Sequence, residues 1–341
     1  MNTLILDAKQ EQSYKVCSDI IRSGGLVAFP TETVYGLGAN GFCENAVKKI
    51  FEAKGRPSDN PLILHVESIA QAEKLYRDIP QSFYKLAEVF WPAPLTIICK
   101  KASCVPDAVS GGLDTVAVRM PSDKHALRLI HESGVPIAAP SANLSGKPSP
   151  TRAEHVIQDM QGRIDAILCA GDCKYGVEST VISLVNLPTI LRPGIITPHM
   201  ISAVIGEVQI SKSVFSPLHE GELAPSPGMK YKHYSPDAEV MAFSGNADEM
   251  RAKICSAYDM NCVNKMKCII LASAETAHLY GDRQLEIMGS AKAPESMCSS
   301  LFAAFRKYNE YDYILCETLA DEELGLAYMN RLLRACGFLV L

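Results

Sequence analysis

Apolar positions along this chain switch repeatedly between a helical and an extended period. Between Gln10 and Ser23, the residues Tyr14, Val16, Cys17, Ile20 and Ile21 gather on one side of a helix, and Gly24 and Gly25 close it. Leu26–Phe29 is a short apolar run, the mark of a buried strand. Pro30–Asn40 is small, polar and glycine-rich, and reads as a loop. Helical spacing returns over Glu44–Ala53, with Ala46, Val47, Ile50 and Phe51 on one stripe, and Pro61–Val66 is a second strand carrying His65. Further helices are predicted over Ile69–Tyr76 with Ser68 as cap, Gln81–Phe90, Asp123–Ser133 with Ser122 as cap, and Thr197–Ile205. Thr151 and Glu154 have the spacing of a capping box for a helix running to Met160. Strands are predicted over Leu95–Lys100, Thr115–Arg119, Pro136–Pro140, Ala166–Ala170, Val177–Val185 and Thr189–Arg192, with a loop over Val105–Gly112. This alternation implies an α/β domain with a twisted, mixed, open sheet flanked by helices.

From Glu207 to Pro236 the periodicity fades and Ser, Pro, Gly and Lys dominate. A loop of this length is a linker or is functional. Tyr231, His233 and Tyr234 are unusual for an inert linker, so the rings either dock it on a domain or touch a ligand. Strands then alternate again with helices. The strands are Glu239–Phe243, Cys268–Ala272, Leu285–Met288 and Tyr313–Glu317; the helices are Ala247–Tyr258, Pro294–Asn309 and Gly325–Cys336. A smaller Rossmann-like α/β domain is expected here, without a dinucleotide site, because no G-x-G-x-x-G follows its first strand. The expected organisation is a first domain over 1–207, a linker over 208–236 and a second domain over 237–341.

A length of 341 residues is consistent with two domains that need no staples. The net charge of -5 argues against a dedicated nucleic-acid binder, although it leaves room for a local basic pocket. The twelve cysteines form no C-x-x-C pair and no Cys/His cluster with zinc spacing. Several lie in apolar runs, such as Cys99 and Cys169, and read as reduced core thiols of a cytoplasmic protein. The N-terminal MNTLILDAKQ lacks a basic region followed by a long apolar stretch, so no signal peptide is expected, and no run has membrane-span length.

The candidate chemistry is concentrated in Phe29–Val66. Lys54 and Arg56 flank Gly55 just past a helix end, and Asn60 follows, with Thr31, Thr33 and Tyr35 upstream. Arginine offers a planar fork to phosphate or carboxylate, and lysine a mobile charge. By themselves, Lys54 and Arg56 read better as ordinary solvated cations at a helix C-terminus; the density of Thr, Tyr, Gly, Lys, Arg and Asn between two apolar strands shifts the reading towards a site. Taken alone, His65 fits a core histidine, and Arg119 a strand-end ion pair.

The segment resembles the signature of the YrdC-type threonylcarbamoyl-AMP synthases, in which a K-x-R pair is followed far downstream by S-x-N. Here these are Lys54 with Arg56, and Ser141 with Asn143. The resemblance continues through APSANLSG at 139–146, GVEST at 176–180 and LRPG at 191–194, and SPGMKYKHYSP at 226–236 is similar to the linker of the long, two-domain form. It implies a concave, positively charged pocket, a linker that closes over the nucleotide as a flap, and a nucleotidyltransferase reaction. L-threonine, bicarbonate and ATP, with Mg2+, would give L-threonylcarbamoyladenylate and pyrophosphate. A downstream threonylcarbamoyl-transferase complex would then use the product to make N6-threonylcarbamoyladenosine in tRNAs reading ANN codons, with at most weak tRNA contact by this chain and no membrane involvement.

The resemblance also implies roles residue by residue. Lys54 and Arg56 would offset the repulsion between carbamate and triphosphate. Thr33, His65, Arg119, Ala139 and Ser179 would hold threonine, with Arg119 on its carboxylate. Arg56, Asn60, Thr115, Ser141, Ser149 and Arg192 would hold ATP, Asn143 would support the phosphates, and Tyr231 and His233 would reach the nucleotide from the linker. No protein ligand of a metal is expected. Glu32 and Glu178 read as local hydrogen-bonding groups rather than magnesium ligands. Two other readings compete: carbamoyl-adenylate formation as in hydrogenase maturation, disfavoured by the missing C-x-x-C pairs, and a non-catalytic RNA-binding module, disfavoured by the acidic balance.

Overall fold

The computed structural model describes residues 2–58, 60–217 and 234–341. The chain divides into two compact units. The first comprises Met1–Ser145, Ser149–Lys174 and Glu178–Lys230; the second comprises Tyr231–Leu341 together with the short loops Gly146–Pro148 and Tyr175–Val177.

The first unit runs β1 (Leu4–Asp7), α1 (Glu11–Arg22), β2 (Val27–Phe29), β3 (Gly36–Asn40), α2 (Glu44–Lys54), β4 (Ile63–His65), α3 (Ile69–Glu73), α4 (Gln81–Phe90), β5 (Leu95–Lys100), α5 (Asp107–Ser110), β6 (Thr115–Arg119) and α6 (Lys124–Ser133). It continues through β7 (Ile137–Ala139), α7 (Ala153–Met160), β8 (Ala166–Cys169), β9 (Thr180–Ser183), β10 (Thr189–Arg192), α8 (Pro198–Ile205) and β11 (Gln209–Ile210). The strands form one mixed sheet in the order β1-β8-β2-β3-β7-β4-β6-β5-β9-β10-β11. Leu64, Val116, Val118, Ile97 and Ile182 turn to one face of this sheet and bury against Val47, Ile50 and Phe51 of α2 and Phe83 and Leu86 of α4. Each such side chain contributes roughly 1.5–3 kcal/mol by leaving water.

Four local readings of the sequence are corrected. Pro30–Asn40 is not wholly loop, because β3 forms a hairpin with β2, pairing Phe29 with Gly36 and Val27 with Gly38. Its glycines removed the strand signal, yet the sheet requires one of them. A Cβ on Gly38 would lie 2.7 Å from Ile137 Cγ2 and 2.8 Å from Phe29 Cε1. Val105–Gly112 contains the short helix α5. Asp123, not Ser122, caps α6, its Oδ1 accepting from the N–H groups of His125 and Ala126 at 2.8 and 3.0 Å. The capping box at Thr151 and Glu154 is not made; Arg152 occupies the N-cap of α7 without a side-chain capping bond. Strand β1, which pairs with β8 at the sheet edge, had no period long enough to be seen.

The second unit contains β12 (Glu239–Phe243), α9 (Ala247–Val263), β13 (Cys268–Ala272), β14 (Leu285–Ile287), α10 (Pro294–Lys307), β15 (Tyr313–Glu317) and α11 (Glu323–Ala335). Its sheet is parallel, in the order β12-β15-β13-β14. Buried Glu317 ends β15 and accepts from Ser273 N, Tyr280 Oη and Thr276 Oγ1 at 2.8, 2.6 and 2.5 Å. In parallel sheets ligands gather at such strand ends, but here the carboxylate is saturated by its own chain. Tyr234 is buried and stacks on Phe302 of α10, with ring centroids 5.1 Å apart, so this ring of the expected linker docks on a domain.

Candidate active site

The site begins with strand register. His65 pairs with Arg119 across β4 and β6, Arg119 with Thr96 across β6 and β5, Thr96 with Val181 across β5 and β9, and Val181 with Arg192 across β9 and β10. Paired residues share a face. Four polar side chains and one valine therefore form a row across five adjacent strands, on the face opposite the main core.

Short hydrogen bonds tie the row together. Arg119 Nη1 donates to Thr33 Oγ1 at 2.9 Å, and Thr33 Oγ1 lies 2.8 Å from Thr31 Oγ1. Thr96 Oγ1 lies 2.8 Å from Ser179 Oγ. Arg192 donates from Nε to the Ser179 carbonyl at 3.0 Å and from Nη2 to the Ser179 hydroxyl at 3.2 Å. Ala139 pairs with Ile63, two residues from His65 on the same face of β4. All five residues expected around threonine (Thr33, His65, Arg119, Ala139 and Ser179) are thus brought together. Thr96 completes the set; its only sequence signal is a hydroxyl inside the apolar run LTIICK.

Glu32 also joins this group. Its Oε1 accepts from the N–H of Ser122 at 3.0 Å and lies 2.6 Å from Arg119 Nη2, an ion pair without hydrogen-bond alignment. Both residues are almost wholly buried, at 5% and 3% exposure. Burial opposes ionisation of Glu32, but Arg119 and the Ser122 N–H outweigh it and hold the carboxyl below its usual range. Burial first, and then the Arg119 charge, lower the His65 pKa to about 3, so the ring is neutral near pH 7. The His65 ring stands edge-on to Phe29, with centroids 6.0 Å apart.

A second group is built around the end of α2. Gly55 takes the left-handed conformation, φ 61°, that lets the chain leave the helix. Lys54, 3% exposed, donates from Nζ to the carbonyl oxygens of Ser141 and Asn143, both at 2.5 Å, and so ties α2 to the loop after β7. Ser141 Oγ donates to Asn143 Oδ1 at 2.5 Å, and Asn143 Nδ2 donates to the Leu144 carbonyl at 2.7 Å. Arg56 lies 3.5 Å from the carbonyls of Asn60 and Pro61 and 6.0 Å from the centre of the Phe51 ring. Ser149 is wholly buried and donates to Glu178 Oε1 at 2.6 Å. Thr115 shares a face with Arg119 but sits at the other end of β6, roughly 13 Å away at strand spacing. Tyr231 and His233 lie outside the described residues.

Several buried polar atoms of these two groups are unmet. Among the described residues, both amide atoms of Asn60, Nδ1 of His65, Oε2 of Glu32, and Nε and Nη2 of Arg119 are buried without a hydrogen bond. Such atoms are rare in a folded interior unless something else occupies the site. The buried cations Lys54, Arg56, Arg119 and Arg192 outnumber the buried carboxylates Glu32, Asp159 and Glu178 by one, which suits a ligand that is both polar and anionic. No group of three His, Cys, Asp or Glu side chains among the described residues is placed to hold a metal ion.

Comparison with known proteins agrees with this chemistry. Residues 19–194 match the family described as "Telomere recombination", and residues 196–337 match "Threonylcarbamoyl-AMP synthase, C-terminal domain". The chain is 45% identical to the threonylcarbamoyl-AMP synthase of Pyrococcus abyssi over 99% of both chains. It is 46% identical to that of Bacillus subtilis over 93% of this chain and 91% of the relative. Its fold superposes on the crystal structure of P. abyssi Sua5 complexed with L-threonine with a TM-score of 0.93, at 45% identity, over 100% of this chain and 99% of that one.

Proposed function

The chain belongs to the two-domain threonylcarbamoyl-AMP synthase family, and from that premise we propose that its first unit joins L-threonine, bicarbonate and ATP into L-threonylcarbamoyladenylate and pyrophosphate. The observation that carries this reading is the pair of adjoining groups with unmet buried atoms. Arg119, His65 and Thr33 offer a carboxylate partner, a neutral ring and a hydroxyl, which suit an amino acid. Asn60 offers a whole unmet amide near Arg56, which suits a nucleotide.

The threonine amine takes up the one-carbon unit as a carbamate, and a carbamate oxygen attacks the α-phosphorus of ATP as pyrophosphate leaves. The nucleophile belongs to the substrate, so the protein's task is positioning and charge compensation. Arg119 takes the threonine carboxylate. Arg56, Asn60, Ser141 and Arg192 hold the nucleotide, and Lys54 fixes the loop that carries Ser141. Ser149 and Thr115 border the nucleotide. Mg2+ bound with ATP would supply further charge neutralisation at the phosphates, beside Arg56. The adenylate then passes to a transferase complex that modifies tRNA.

Pyrophosphate release from ATP, measured with Mg2+ and bicarbonate, tests this reading. Release is expected to require bicarbonate and L-threonine and to be weaker with L-serine. Release indifferent to the amino acid would overturn it.

A further inference from the structure

We propose that Glu32 is the specificity-determining residue that receives the ammonium group of the amino-acid substrate, so that Glu32 and Arg119 together select a zwitterion. The inference deepens the reading above and rests on it.

Glu32 has one engaged oxygen and one idle oxygen. Oε1 holds the Ser122 N–H and the Arg119 charge, while Oε2 is buried and accepts from no described residue. Arg119 is divided in the same way: Nη1 is committed to Thr33 and Nη2 to the ion pair with Glu32 Oε1, while Nε donates no hydrogen bond to a described residue. A buried acceptor with negative charge therefore sits beside buried donors with positive charge, and each has capacity left over. A purely structural buried carboxylate would use that capacity internally, as Glu317 does with its three neutral donors in the second unit.

Charge balance identifies the ligand class. Glu32 and Arg119 sum to zero, and His65, the next side chain in the row, is neutral near pH 7. This pair carries no net charge of its own but presents two oppositely charged groups, one for each end of an α-amino acid. A carboxylic acid without the amine would leave Glu32 Oε2 buried and unmet, which works against its binding. When the amine becomes a carbamate, its remaining N–H still offers a hydrogen to the same oxygen.

Calorimetric titration of the intact protein with L-threonine and with 3-hydroxybutyrate, the same skeleton without the amine, tests this. Wild type is expected to prefer L-threonine, and Glu32→Gln to bind it roughly 10- to 100-fold more weakly, the loss expected for a hydrogen bond to a charged group. In the same variant, binding of 3-hydroxybutyrate should hold or improve, so that the preference collapses. A folded Glu32→Gln protein that keeps the wild-type preference would reduce Glu32 to a support for Arg119 and overturn the proposal. If that variant does not fold, wild type still decides: equal affinity for the two compounds overturns the proposal. Failure of wild type to bind L-threonine at all would overturn the functional reading itself, and this inference with it.

Discussion

His65 shows how far a single residue's behaviour is set by its surroundings. Free histidine titrates near pH 6.5; here burial and the neighbouring Arg119 lower the value to about 3. Between those two values the unfolded chain carries a proton that the folded chain refuses. Stability therefore rises with pH across this window, is fully present above about pH 6.5, and is lost on acidification toward pH 3. The contribution has a slope of up to about 1.4 kcal/mol per pH unit. Urea unfolding of wild type and His65→Gln between pH 7 and pH 4 is expected to show a shallower acid loss in the variant; parallel curves would refute the buried, neutral ring. In the sequence, His65 was a histidine at the end of an apolar run, and its role was legible only through the family pattern. Glu32 was less legible still. Its neighbours Arg119 and Ser122 lie far along the chain, so no local spacing could link them.

At the scale of elements, long amphipathic helices were read nearly to the residue, as with Gln81–Phe90 and α4, because their period repeats over several turns. The hairpin strand β3 was missed because glycine carries no hydrophobic signal. Gly38 is nevertheless fixed by contacts from Ile137 and Phe29. Gly38→Ala is expected to cost about 1–3 kcal/mol by overpacking, as a shift in the urea midpoint. Gly171→Ala, where an added Cβ meets nothing within 4 Å, is the control and should change little. Equal effects at the two positions would contradict the packing of β2, β3 and β7. The cap of α6 was assigned one residue early. Ser122 and Asp123 are both good cap residues; the helix begins at Lys124, so Asp123 stands at the cap and its Oδ1 takes the free N–H groups of His125 and Ala126.

For the whole molecule, the scattered cysteines are a test of the core. All twelve are free thiols, and of these only Cys104 and Cys262 are exposed. Burial pushes the thiols of Cys17, Cys99 and Cys298 up to about 12, which leaves little thiolate to react. Titration with a thiol reagent at pH 8 is expected to label two cysteines fast, the half-buried ones slowly, and all twelve after denaturation. Rapid labelling of more than two would mean that the core is looser than described. No helix among the described residues is long and apolar enough to cross a membrane.

The sequence by itself determined the α/β class, most of the elements, the polar cluster after the early strands and the family pattern that names the chemistry. These follow from short-range periodicity and from motifs that keep their order along the chain. Only the tertiary structure decided that His65, Arg119, Thr96 and Arg192 stand in one row, that Lys54 is tied to the loop of Ser141, and that Glu32 keeps one oxygen unmet. The physical reason is register. Which residues meet across a sheet depends on how strands far apart in the chain align, and that alignment is set by the burial of an entire face rather than by any local stretch.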